Sequence, residues 1–541
     1  MYLISKDKGL SHIESRILHH AARFNRTLPE MKFIVLDGME FISLLSKNVY
    51  PTSPLNIWEG KEVTKKKFAV ESGQESSLYY EVVQTGRPSY AYLNNTNTPT
   101  TQASVMAHVV GHCEFSELNV MGDSNDDRTE YVMYLCRKIN NSIPIMGFSN
   151  YMRIRNACES ISPLISPNSQ YNLKTSIISD EIEQEKIVEK IKNSSKSTKV
   201  FMPYSSTLDA LMIEDSSKKA IEQDENRKNN RETINRKGYK LIAPCQDVLG
   251  FLKNYADLSD NERNVIEYIY TVNKPHDFVR KTQIMNEGWA MYWEKQIMQE
   301  LFDEGTVKDR IDYSVKFSGV CNPRPWFMRN PYHLGYNMWL HVKELYEKDK
   351  VSIGYHEEKI RSTKEGWSAS EKVDPIAKME HLVSTITDYE FLRRFLDNEL
   401  IEKFHLNRVP NHMAQNLSLS LDDVKKEDNN YTWLEPEPIK DLMLNFFVDF
   451  HQPMVYVIDS DFMDGGLLLF HRHKGKGLKE RWIKPTLKNI KLVWKRPVYL
   501  ISGGMIYKMY GKNLQKDSVR HKITFEQICE KMSNNTKPFS I

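Results

Sequence analysis

KTQIMNEGWAMYWE, residues 281–294, sets one carboxylate among aromatic and aliphatic side chains. Ile284, Met285, Trp289, Ala290 and Trp293 recur at helical spacing, so a helix over about 281–303 is expected. Glu287 sits inside that apolar pattern, and a carboxylate is expensive to bury unless it is paired or bound to a metal. Gly288 beside it weakens a helix by up to about 1 kcal/mol relative to Ala. A glycine kept there implies that another element approaches closely. The plainer alternative is an exposed Glu on a marginal helix.

A second segment supplies partners of the right chemistry. In MAHVVGHCEF, residues 106–115, His108 and His112 stand four apart on a helix expected over 102–118. They leave one face a single turn apart, near enough to share an ion at Zn–N distances of about 2.0 Å. Taken alone, the pair reads equally well as two histidines satisfied near a core. With Glu287 it makes a set of two imidazoles and one carboxylate, which leaves a coordination position for water. Zn²⁺ suits such a set, as do Fe²⁺ and Mn²⁺. The general base of an HExxH motif is missing, because Val109 occupies its position. Glu114 lies about 200° around the helix from His112 and cannot easily face the same ion. Glu294 follows Glu287 by two turns on one stripe, about 10 Å along the axis. It reads as a general base, a partner behind the ligands, or a solvated surface residue.

The chain around these segments has 541 residues, 40% apolar and 27% charged, ordinary for a folded globular protein of two to four domains. Its six cysteines are scattered with no CxxC pair, which argues against a zinc ribbon, a redox motif or a disulfide framework. The first 26 residues hold no apolar signal core, and no apolar run is long enough for a membrane span. A cytoplasmic protein is expected, with no membrane partner. Net charge is only +3, yet residues 471–541 carry 17 Lys and Arg against Glu480, Asp517, Glu526 and Glu530.

The expected fold class is α+β: a predominantly α-helical main domain over 1–430 and a small basic α+β domain over 431–541. In the first 175 residues, short strands at 79–83 and 89–93 precede a turn at 94–101, where Thr100 or Thr101 is positioned to cap the histidine helix. A charged insertion or linker is expected at about 176–238, where 214–237 is almost wholly polar. Helical spacing resumes at 246–270 with a break at 257–260. A Pro-broken loop is expected at 322–330, and further helices at 332–348 and 375–406. The tail reads as α-β-β-α-β-β, with helices at 439–450 and 484–494 and strands at 455–459, 467–472, 497–501 and 505–509. No solenoid repeat and no Walker or Rossmann glycine pattern occurs.

Three segments, AYLNNTNTPTTQASVMAHVVGHCEF (91–115), KTQIMNEGWAMYWE (281–294) and RNPYHLGYNMW (329–339), together resemble a known family. They are similar, in order and spacing, to the AYLxxNTxTxQALVxAHAxYGHNDFF, QTxVMNEGWATFWH and GINPYALGF segments of the stage V sporulation protein R-like (SpoVR-like) family. Weaker likenesses at 58–83, 301–310, 388–400 and 459–473 extend the resemblance over most of residues 50–500. It implies a bacterial protein linked by name to spore cortex formation or stress. His108, His112 and Glu287 match the family's pattern. Glu294 stands where the family usually has His, Glu159 where it often has His, and a further HTNV segment is missing around 316–321. The chain is therefore identified as a divergent member, and its Asn- and Lys-rich composition points to carriage by a bacteriophage.

Three functions compete. The first is a zinc-dependent hydrolase of a peptide or amide bond, with metal ligands His108, His112 and Glu287. Glu294 is its candidate base, and Asn330, Tyr332 or His333 are candidate oxyanion donors. The second is a non-catalytic protein with a structural metal site that binds a protein partner. The third is anion or nucleic-acid binding through residues 471–541, where Trp482, Trp494 and Tyr499 interleave the basic side chains.

Overall fold

A computed structural model of the chain describes residues 2–45, 81–122, 128–166, 177–178, 240–241, 243–274, 276–367, 374–415, 417, 423–450, 452–463, 465–473, 477–511, 513–519, 523–534 and 536–539. The charged stretch at 176–238 lies outside these apart from Ile177 and Ile178, as does most of 58–83. The fold is α+β, and the chain divides into two compact units. The first comprises Met1–Pro51, Leu55–Asp126 and His276–Phe450, and the second Thr52–Pro54, Asp127–Pro275 and His451–Ile541.

In the first unit a four-stranded sheet runs β1 (Tyr2–Leu3), β2 (Met31–Leu36), β4 (Ser89–Asn94), β3 (Glu81–Gln84). Helices α1 (Lys8–Arg23) and α2 (Pro99–Leu118) pack with this sheet. Helix α3 (His276–Asp303) closes the same cluster, where its Ile297, Met298 and Leu301 meet Phe33, Val35 and Leu93 from the strands. The earlier half of α3 serves a second core. There Met285 and Trp289 meet Trp339 of α5 (Pro331–Glu347), after α4 (Arg310–Val320), and the cluster continues onto α6 (Pro375–Thr385) and α7 (Asp388–Phe395). Helix α3 thus spans two apolar clusters, which explains why its sequence is apolar around most of its circumference.

Two expectations change here. The histidine helix starts three residues early, because Pro99 occupies the first turn and Thr98, not Thr100 or Thr101, accepts the Thr101 amide as cap. Proline is preorganised for that position and has no amide to orphan. The helical stretch at 375–406 breaks into α6, α7 and α8 (Asn398–Lys403), where Thr387 and Asp397 take extended N-cap conformations. Beyond it, β5 (Arg408–Pro410), β6 (Val424–Glu427) and β7 (Tyr431–Leu434) form a sheet ordered β5-β7-β6, and α9 (Glu437–Asp449) packs on α7 and α8.

The second unit holds helices Arg128–Met146, Phe148–Ile161, Val248–Tyr255 and Asp260–Asn273. The expected break at 257–260 is present, and Ser259 caps the second of these last two helices with a reciprocal bond from Glu262. Its sheet runs β8 (Val455–Phe462), β9 (Gly466–His471), β10 (Val498–Ser502), β11 (Met505–Met509), β12 (Leu514–Ser518). Only β9 and β10 are parallel, and helix Glu480–Trp494 supplies the crossover that a parallel pair requires. β12 and helix Phe525–Ser533 extend the expected order; β12 is a polar, exposed edge strand whose residues show no alternation. No helix among the described residues is long and apolar enough to cross a membrane.

Candidate metal centre

The site exists because three helices approach at glycine. A Cβ on Gly111 of α2 would stand 2.6 Å from the Ala290 Cα of α3. One on Gly335 of α5 would stand 1.9 Å from the Ile284 carbonyl oxygen, and one on Gly288 would stand 2.2 Å from the Gly335 carbonyl carbon. The close approach expected at Gly288 is thus made by the backbone of α5. Nothing flexible can yield at these crossings, so Gly335→Ala is expected to lower stability by about 3 kcal/mol or more, read from urea unfolding. An unchanged midpoint would show that α3 and α5 separate freely.

At this separation the side chains of α2 and α3 converge. Nε2 of His108 and Nε2 of His112 each lie 3.3 Å from the same Glu287 Oε2. One ligand atom from each of the three residues lies within 4.8 Å of the others. The imidazole planes stand nearly perpendicular, 84° apart.

Each outer nitrogen is held from behind. His108 Nδ1 lies 2.9 Å from Glu294 Oε2, and His112 Nδ1 lies 2.9 Å from Asn286 Oδ1. Both partners are acceptors, so each Nδ1 carries the hydrogen and each Nε2 of a neutral ring turns a lone pair inward. Two lone pairs and a carboxylate oxygen then face one point. That arrangement repels itself unless a proton or a cation occupies the middle, and its donors are of the kind that could hold a transition metal. A proton on His108 is one such answer. Burial alone would strip the charge from His108, but its bonds to Glu287 and Glu294 prevail and hold its pKa up to about 10. Glu287 is likewise penalised by burial, yet His112 and His108 hold its pKa down to about 2.

Glu294 is buried at 5% exposure, so it is not a surface residue. Its Oε1 accepts from Ser104 Oγ at 2.6 Å and its Oε2 from His108. Both oxygens are engaged behind the ring, the placement from which a carboxylate orients an imidazole. Among the oxyanion candidates, Asn330 caps α5 and donates to the carbonyls of Val320 and Asn322. His333 sets its ring nitrogens against the Cys321 and Phe404 carbonyls. Both are occupied in holding the loop. Tyr332 lies beside the cluster, its ring centroid 6.0 Å from that of His108. Glu114 serves elsewhere, accepting from the Thr27 amide and Trp289 Nε1, each at 2.9 Å. Glu159 is in the second unit, paired with Arg155.

Sequence reasoning missed Asn286, Ser104 and Asp388. Ser104 precedes His108 by four residues, a spacing that could have been read. Asn286 adjoins Glu287, where no helical period points at a histidine. Asp388 of α7 is wholly buried and accepts from the amides of Ile284 and Met285 at 2.8 and 2.9 Å. Trp339 Nε1 donates to the Met285 carbonyl at 3.0 Å. These bonds fix the turn of α3 that carries Glu287.

Compared with known proteins, residues 5–440 match the model of the family described as SpoVR like protein. The uncharacterized protein YcgB of Escherichia coli (strain K12) is 25% identical over 363 residues, covering 65% of this chain and 64% of the relative. The chain therefore spans just under two thirds of the length of that curated relative. No solved structure matches the chain.

Proposed function

The chain belongs to the SpoVR-like family, and from that starting point we propose that it is a metal-dependent hydrolase of a peptide or amide bond. His108, His112 and Glu287 would hold the ion, with Zn²⁺ the favoured occupant and Fe²⁺ or Mn²⁺ compatible with the same donors. The observation that carries this is the inward pair of Nε2 atoms on one carboxylate oxygen, with both Nδ1 atoms anchored. When bound, such an ion supplies Lewis acidity, polarising a carbonyl and acidifying water. Three protein ligands leave a position open, which a closed structural site would fill with a fourth. His112 and Glu287 keep 13% and 18% of their side-chain surface exposed, against 7% for His108, so a substrate would approach from their side. Glu294 keeps the His108 ring in one tautomer, and the Tyr332 hydroxyl would donate to a developing oxyanion.

The test is hydrolysis of amide and cell-wall-derived peptides by metal-loaded protein; the cell-wall class is taken from the family's name alone. Glu287→Gln is expected to abolish turnover. Tyr332→Phe is expected to lower kcat by about 10²-fold with KM little changed. Turnover that survives Glu287→Gln would overturn the reading.

A second reading, a structural metal site in a partner-binding protein, is favoured by the engagement of both Glu294 oxygens. It predicts a metal-dependent rise in thermal midpoint with no turnover of any amide. The basic segment 471–541 supports an anion- or nucleic-acid-binding reading by charge alone. Arg472, Lys495, Lys508 and Lys516 each pair with a carboxylate. Absence of gel retention at low salt would dispose of it.

A further inference from the structure

The Pro-broken loop between α4 and α5 forms one wall of a cavity of about 250 Å³. Pro323, Arg324 and Pro325 line that wall, and His405, Arg408 and Tyr431 line the other. The two walls are tied together. The Trp326 amide donates to the Leu406 carbonyl at 2.9 Å, and the His333 ring sits between the two walls, its nitrogens 3.0 and 3.1 Å from the Cys321 and Phe404 carbonyls. The prolines fix their own φ angles, so the wall is stiff before any ligand arrives. His405 takes φ 56°, a left-handed setting that costs a non-glycine residue energy and persists only where its surroundings impose it.

The chemistry of the lining is one-sided. It contains two arginines and a histidine, and no Asp or Glu. Other arginines of this unit, such as Arg310, Arg393 and Arg394, are paired with carboxylates. Among the described residues neither the Arg324 nor the Arg408 guanidinium makes an ion pair or a side-chain hydrogen bond, and the Asp428 carboxylate acts on Arg408 only through its longer-range charge. Arg408 instead lies over the Tyr431 ring, 4.6 Å from its centroid. Stacking of that kind fixes the guanidinium plane and leaves its edge N–H groups free for a planar or tetrahedral oxyanion. Burial and then the nearby Arg408 push the His405 pKa down, in keeping with a cavity of positive potential.

We propose that this cavity binds an oxyanion, the phosphate or carboxylate group of a small molecule or chain end, gripped by Arg324 and Arg408. The site stands apart from the metal reading and does not depend on it.

The test is isothermal titration calorimetry of the full chain with inorganic phosphate and with acetate at constant ionic strength. Saturable binding of one of them is expected, and which one binds names the class. Arg408→Gln and Arg324→Gln should each weaken it about tenfold or more. Arg408→Lys, which keeps the charge, should lose less. Arg87→Gln, on a surface arginine paired with Glu117, should change nothing. Unchanged thermal midpoints would show that the arginine variants fold. Binding should persist in His108→Ala/His112→Ala, which excludes an ion at the other site as its source. No saturable binding of either anion, or equal binding in the arginine variants, would overturn the proposal.

Discussion

Purified from metal-replete cells, the protein is expected to carry close to one equivalent of a divalent transition metal, and the His108→Ala/His112→Ala variant less than about a tenth of that. The expectation rests on competition for one point in the structure. Without an ion, the space between the two Nε2 atoms and Glu287 Oε2 is relieved by a proton, because Glu287 and Glu294 hold His108 in its charged form. An ion must displace that proton, as thiolate and imidazole sites generally require. It gains a carboxylate already ionised, since the Glu287 pKa is held to about 2. It also gains two rings already turned by Glu294 and Asn286, so little ordering remains to oppose binding. Elemental analysis of both proteins decides the matter. Absence of metal from the parent, including after reconstitution, would reduce the constellation to a buried ion-paired cluster and move the weight to the partner-binding reading.

What could be read from the sequence was whatever local spacing encodes. The i,i+4 pair of histidines, the carboxylate in an apolar helix and the glycine beside it each state a requirement within one turn of chain. The structure brings those elements together through crossings at Gly111, Gly288 and Gly335. The cap at Thr98 lies two or three residues before the expected Thr100 or Thr101, because several threonines there offer the same hydroxyl. β12 was invisible because LQKDS at an exposed edge has no buried face to impose alternation. The role of Glu294 is open in the sequence for a related reason. Helical spacing put it on the stripe of Glu287, but the direction of its side chain depends on Ser104 and His108 across the interface. Asp388 was unreadable, since an aspartate opening a short helix has the same local signature whether it caps that helix or reaches a neighbouring one. Here Thr387 is the N-cap, and Asp388 spends both oxygens on α3.

Asp388→Ala is expected to destabilise the fold by about 2–5 kcal/mol. The parent carboxyl takes two amides from inside a helix at 2.8 and 2.9 Å, and it is fully enclosed. Removing it leaves both N–H groups competing for carbonyls one turn back, each at a desolvation cost of about 1–3 kcal/mol if unmet, with a cavity at a fully enclosed position. Asp388→Asn keeps one acceptor oxygen and should cost less. Tryptophan fluorescence during urea unfolding reports the region directly, because Trp339 donates to the Met285 carbonyl and packs on Trp289. Asp388→Ala should also lose metal, since the displaced turn carries Glu287. The pH dependence has a definite sign. Burial pushes the Asp388 pKa from 3.8 up to about 8, against the pull of the two amides and Arg329. The folded chain therefore holds this proton where the unfolded chain has lost it. Its contribution to stability is full below about pH 4 and is lost as pH rises through about 8. The midpoint of the parent should accordingly fall relative to Asp388→Asn across that window. A difference between the two proteins that stays flat with pH would mean that the carboxyl is ionised in the fold, with the two amides and Arg329 outweighing its burial.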